Sequence, residues 1–109
     1  MRIAFSAKKS GSELQMDERF ARADWFLIYD TENEAFEEID NTSIKNAAQG
    51  AGIQAAELLI RKDVNVVVTG KCGPKALDAL RSVDIPVHST NKQRVYDALN
   101  ELLLAYGEK

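Results

Sequence analysis

The chain has 109 residues, 45% hydrophobic and 28% charged, a length and balance that suit one domain, residues 1–109, around one core. The formal net charge is -3 and the lysines and arginines are scattered singly or in pairs, which excludes nucleic acid or an acidic membrane as the main partner. One cysteine excludes an internal disulfide and fits a reducing, cytoplasmic setting; the opening MRIAFSAKK is too short in apolar residues for a signal peptide, and no stretch approaches a membrane span.

Residues 2–6, RIAFS, read as the first strand, followed over 7–12 by a polar loop ending in Ser10-Gly11-Ser12. The stretch 14–23, LQMDERFARA, lacks a clear period; a single helical turn is expected near 17–20, with Phe20 under the sheet and Arg19 and Arg22 outward. Residues 24–30, DWFLIYD, are strongly strand-like, TENE turns the chain, and 35–40, AFEEID, return with the mixed polarity of an edge strand. The two strands make a hairpin. Residues 41–49, NTSIKNAAQ, are small and polar, suited to capping a helix or touching a ligand.

The first long helix is predicted over 50–62, GAGIQAAELLIRK, with Ile53, Ala56, Leu59 and Ile60 as its apolar stripe. Gly50 and Gly52 each cost a helix interior about 0.8–1 kcal/mol relative to alanine, so they belong in its first turn, where something approaches the backbone. The chain is organised around 64–80, VNVVVTGKCGPKALDAL: a strand buried on both faces, a glycine loop, then Pro74 at the first helical position. Ala76, Leu77, Leu80 and Val83 would form the inner face of that helix. Residues 85–88, IPVH, are the last short strand, placed at an edge by Pro86. Thr90 and Gln93 resemble a capping box ahead of a final helix whose buried face is Val95, Leu99, Leu102 and Leu103, and 107–109 form a frayed end. The order β-β-β-α-β-α-β-α, with right-handed crossovers, predicts a three-layer α/β/α domain with helices on both faces of the sheet.

Strand, glycine loop and helix start form the unit that α/β proteins use to hold ligands. Backbone N–H groups near Gly50 and Gly73 can cradle an anion; the same glycines also serve tight helix–sheet packing, and both readings stand. GKCGPK is not a Walker A loop, since it lacks the glycine spacing and the GK[ST] ending. Cys72 fits an ordinary loop cysteine, a soft-metal ligand or a nucleophile; His88 fits a loop-capping residue, a metal ligand or a proton carrier. These two follow successive parallel strands, which would let them meet, though two ligands do not close a metal site. Asp17, Glu18, Asp24 and Asp30 share no period and read as a solvated rim.

The segments NAAQGAGIQAA (46–56), VNVVVTG (64–70), GPKA (73–76) and IPV (85–87) together resemble the dinitrogenase iron-molybdenum cofactor biosynthesis family, which includes NifX, NifY and the C-terminal domain of NifB. The likeness covers nearly the whole chain. It implies a ribonuclease H-like fold with a mixed five-stranded sheet, and noncovalent binding of an iron–sulfur cluster or an iron–molybdenum cofactor precursor, with no catalysis by the domain. It also implies cofactor-synthesis or acceptor proteins as partners. Many relatives carry a serine and an aspartate in the first loop, followed by HFGR; the matching stretch here is Arg19-Phe20-Ala21-Arg22. An arginine in place of that histidine suits an anion rather than a metal ion, and Lys8 and Lys9 add positive charge nearby.

The expected site therefore comprises Ser6, Lys8, Arg19, Arg22, Asn46, Gly50, Gly52, Gly70 and Gly73, with Cys72 and His88 as metal ligands. The function expected is carriage of an anionic metallocofactor or cluster precursor. Two alternatives stand beside it: a protein-interaction or regulatory domain of the same fold without cofactor, and a small thiol-dependent enzyme using Cys72.

Overall fold

The computed structural model describes residues 1–8 and 14–107; most of the polar loop and the end of the C-terminal tail lie outside the described residues. The central strand is β1 (Arg2–Lys8), followed by the two-residue β2 (Gln15–Met16) and the hairpin β3 (Trp25–Asp30) and β4 (Ala35–Asp40). A single turn α1 (Thr42–Lys45) leads to α2 (Ala51–Arg61), then β5 (Val66–Thr69), α3 (Pro74–Arg81), β6 (Val87–Ser89) and α4 (Val95–Ala105). The sheet order is β4-β3-β1-β5-β6, with β2 paired to the end of β1. The β1–β3 and β3–β4 pairs are antiparallel, and β1, β5 and β6 are parallel, so the sheet is mixed. The carboxyl ends of β1, β5 and β6 consequently share one edge of the sheet.

Alternation along each strand sorts side chains between two layers. Ala4, Phe26, Ile28 and Val67 face α2 and α3, where they pack with Ala55, Ala56, Leu59, Ala76 and Leu80. Ile3, Phe5, Leu27, Val66 and Val68 face α4 and meet Val95, Ala98, Leu99 and Leu102. Helices thus cover both faces, as the β-α-β order requires.

Several local expectations give way to tertiary contacts. Ile53 is 41% exposed, because the alanine-rich face Ala51, Ala55, Ala56 and Leu59 is what turns inward, and small side chains let α2 lie close to its neighbours. Val83 is 47% exposed, as α3 has already ended at its C-cap Ser82. Residues 17–20 form no helical turn; they run across the end of β5, and Phe20 is buried against Phe26 with ring centroids 5.3 Å apart. The Thr90–Gln93 pair does not cap α4, which starts at Val95 with Arg94 as N-cap. Thr90 Oγ1 instead accepts the Lys92 N–H at 3.1 Å, and the Gln93 carbonyl accepts the Met16 N–H at 2.8 Å. β1 continues to Lys8 because β2 pairs with it, Ala7 opposite Met16 and Lys8 opposite Gln15. The turn α1 follows from Asp40, whose Oδ1 accepts the Thr42 N–H at 2.8 Å, and from buried Asn41, whose Nδ2 donates to the Ala21 and Ala23 carbonyls at 2.9 Å each.

Candidate functional site

Three loops leave the shared edge of β1, β5 and β6, and backbone hydrogen bonds stitch them side by side. The Asp17 N–H donates to the Ser6 carbonyl at 2.9 Å, and the Ser6 hydroxyl donates to the Asp17 carbonyl at 2.6 Å. That leaves the Ser6 oxygen to accept from the Thr69 hydroxyl at 2.7 Å, locking β1 to β5. The Lys71 N–H donates to the Glu18 carbonyl, and the Phe20 N–H to the Lys71 carbonyl at 3.0 Å. On the other side the Val95 N–H reaches the Leu14 carbonyl at 3.1 Å. Gly70 sits where a Cβ would fall 2.7 Å from both Cα and Cβ of Glu18, so only glycine allows the loops to cross this closely.

Between these loops lies a cleft of about 830 Å³. Its described lining carries five cations, Lys8, Arg19, Lys71, Lys92 and Arg94, against two carboxylates, Asp17 and Glu18. In a chain of net charge -3 this is a local reversal of sign. Arg19 is held in a fork: its Nε and Nη2 donate to Asp17 Oδ1 and Oδ2 at 3.1 and 3.0 Å, and its backbone N–H donates to Oδ1 at 3.0 Å. Hydrogen bonding to Asp17 and its charge push the guanidinium still higher than usual. The Arg19 side chain is 56% exposed, whereas that of Asp17 is 2% exposed. Arg94 ties back to Asp97 on α4, Nε to Oδ2 at 2.9 Å.

A second cleft, of about 420 Å³, lies where the first turns of α2 and α3 face the 20–22 segment. Gly50, at φ +75°, and Gly73 start those helices without a side-chain cap. Gly52 is a packing position: a Cβ there would lie 3.4 Å from the Ala76 Cβ of α3. Arg22 borders this cleft, and its Nη1 donates to the Lys45 and Ala47 carbonyls at 2.5 and 3.0 Å.

The expected site residues therefore divide. Lys8, Arg19 and Gly70 line the basic cleft; Arg22, Gly50, Gly52 and Gly73 line the second. Ser6 is buried inside the loop junction, and Asn46 is exposed beyond α1, lining neither cleft. Cys72 and His88 also line neither and are not brought together. Cys72 packs against the α2–α3 core, while His88 bonds through Nε2 to Glu101 of α4 at 2.9 Å, on the opposite side of the sheet. Burial pushes the Cys72 thiol above its usual range, the reverse of what a nucleophile needs. No group of three or more His, Cys, Asp or Glu residues is placed to hold a metal ion among the described residues.

Lys71, Lys92 and Arg94 are the lining cations that reading the sequence missed, and Asp17, expected on a solvated rim, is instead buried in the lining. The signal was present: 90–94, TNKQR, follows the last parallel strand, where ligands gather, and carries two cations. Lys71 stood out only as a neighbour of Cys72.

Fold and cleft together define a three-layer α/β domain whose larger cleft is built from cations rather than metal ligands. The chain belongs to the dinitrogenase iron-molybdenum cofactor family, whose model it matches over residues 1–104. It is similar to the apo form of the orange protein from Desulfovibrio gigas, with a TM-score of 0.88 and 35% identity over 95% of this chain and 88% of that one. It is also similar to a putative NifB protein from Thermotoga, with a TM-score of 0.79 and 27% identity over 97% and 88% of the two chains. No curated protein matches it. Among the described residues no helix is long and apolar enough to cross a membrane.

Proposed function

We propose that this domain carries an anionic metallocofactor, held noncovalently in the basic cleft, and performs no chemistry on it. The observation that supports this reading is the donor set: five cationic side chains line the cleft, and neither Cys72 nor His88 does. Such a site does not fit a bare iron ion, or a cluster that depends on protein thiolates. It does fit a preformed cluster or cofactor whose metals bring their own ligands and whose surplus is negative charge. Exposed charge pairs are worth about 0.2–1 kcal/mol each, so retention rests on several of these cations acting together. Because screening weakens such pairs, release is easy, as a carrier between a synthesis protein and an acceptor in the reducing cytoplasm requires.

The test is anaerobic gel filtration after mixing with isolated iron–molybdenum cofactor, and separately with iron and sulfide, followed by metal analysis. Stoichiometric retention of the preformed cofactor is expected for the wild type, for Cys72→Ala and for His88→Ala, falling as salt is raised. Lys71→Glu combined with Lys92→Glu should abolish it. Retention that survives this double reversal, or no retention by the wild type, would sink the proposal.

A further inference from the structure

Asp17 is a puzzle if the cleft serves an anion. It is a carboxylate of the lining, nearly fully buried, in a place where negative charge opposes the ligand. Burying a carboxylate is costly unless it is paired and hydrogen-bonded, so a fold gains nothing by putting one there idly. Its backbone neighbours do not need the charge, since the Asp17 N–H and carbonyl already join β1 through Ser6. The charge is directed at Arg19. Two side-chain bonds to the Asp17 carboxylate hold one edge of the guanidinium, and the Arg19 backbone N–H adds a third bond to the same carboxylate. Nε and one N–H of Nη2 are thereby occupied, and three N–H groups remain on a side chain that is more than half exposed at the cleft.

Resting on the reading of the cleft as an anion site, we propose that Asp17 is its positioning residue. It gives up one unit of favourable charge and in exchange fixes Arg19 as a pre-oriented fork. A free arginine must surrender its rotamer freedom when it binds; one already held in a bidentate pair has surrendered it during folding. Arg19 touches the cargo, and Asp17 acts only through Arg19. Glu18, exposed on the same cleft, makes no such fork among the described residues, and its carboxylate brings opposing charge.

The two carboxylates therefore respond oppositely to neutralisation. Asp17→Asn keeps an Oδ1 for the Arg19 N–H but loses the charged fork, and Glu18→Gln merely removes a charge. Affinity for isolated iron–molybdenum cofactor, measured anaerobically at fixed salt, should fall about 10-fold in Asp17→Asn and rise about 2-fold in Glu18→Gln. In an Arg19→Gln background, Asp17→Asn should produce no further loss, because the residue it positions is gone. Equal or tighter binding by Asp17→Asn would overturn the proposal. So would a loss that persists undiminished without Arg19, since that marks a structural role. An independent readout is the Arg19 Nη2–H resonance of the protein alone, because Nη2 bonds the Oδ2 that asparagine lacks; it is expected slow to exchange in the wild type and fast in Asp17→Asn. If the wild type retains no cofactor, the carrier reading fails, and this resonance still decides whether Asp17 orders Arg19: an unchanged signal in Asp17→Asn refutes it.

Discussion

Replacing Gly70 by alanine adds a single methyl group where the 17–20 segment crosses the end of β5. The new Cβ would lie 2.7 Å from Glu18 Cα and Cβ and 2.8 Å from its carbonyl oxygen, whereas ordinary contact begins near 3.4 Å. Two of the three atoms are backbone, so no rotamer change relieves the clash and the 17–20 segment must withdraw from β5. Withdrawal strains or breaks two backbone hydrogen bonds, Lys71 N–H to Glu18 and Phe20 N–H to Lys71, each worth about 1 kcal/mol. Overpacking adds about 1–3 kcal/mol, so a total loss of roughly 3–5 kcal/mol is expected. For a chain of this size that lowers Tm by about 12–20 °C, at roughly 4 °C per kcal/mol. Urea unfolding of the two proteins, compared at equal m, measures it directly. Because Glu18, Arg19 and Lys71 all line the basic cleft, cofactor retention should fall with stability. A Gly70→Ala protein within about 0.5 kcal/mol of the wild type would refute the clash argument, that being the range of surface changes without consequence.

Gly52→Ala should do the opposite: its Cβ meets Ala76 Cβ at 3.4 Å, and helix propensity favours alanine, so a gain of about 0.5 kcal/mol in urea unfolding is expected. Cys72 should react slowly with iodoacetamide at pH 7, because burial raises its thiol; rapid alkylation independent of pH below about 8 would restore it as a nucleophile candidate. Hydrogen bonding to His88 and then to Thr90 holds the Glu101 carboxyl below its ordinary 4.5, so its contribution to stability is present above that value and is lost as pH falls through the lowered one. In Glu101→Gln this part of the acid dependence should vanish, which thermal unfolding between pH 6 and about 3 will register.

Much of the architecture was legible because it rests on local patterns. The apolar run 64–69 supplies β5 from Val66 to Thr69, the aromatic run 25–30 forms β3, and Pro74 opens α3, as their chemistry demands. Small deviations have definite causes. Ile53 follows the helical period yet faces outward, because the register of α2 is decided by which face approaches α3 most closely, and there small residues win over large ones. The helical turn expected near 17–20 is replaced by an extended crossing, since backbone bonds to Lys71 outweigh weak local helix preference.

The site was legible only in pieces. Lys8, Arg19 and Gly70 stood out as individual residues, whereas Lys92 and Arg94 did not, and nothing local marked the five cations as one group. They come from segments far apart in sequence, which become neighbours because β1, β5 and β6 run parallel and end together. Cys72 and His88 follow the same logic of successive strands, yet the sheet divides them, since Cys72 joins the α2–α3 layer and His88 reaches Glu101 on the α4 side. By itself the sequence determined the long helices and main strands, the α/β class and the family likeness, because these depend on periodicity, turn chemistry and short motifs; the short β2 and α1 did not show in it. Tertiary structure alone decided which charges share a cleft and which candidate ligands are kept apart, because strand order and side-chain parity act between segments that no local pattern connects.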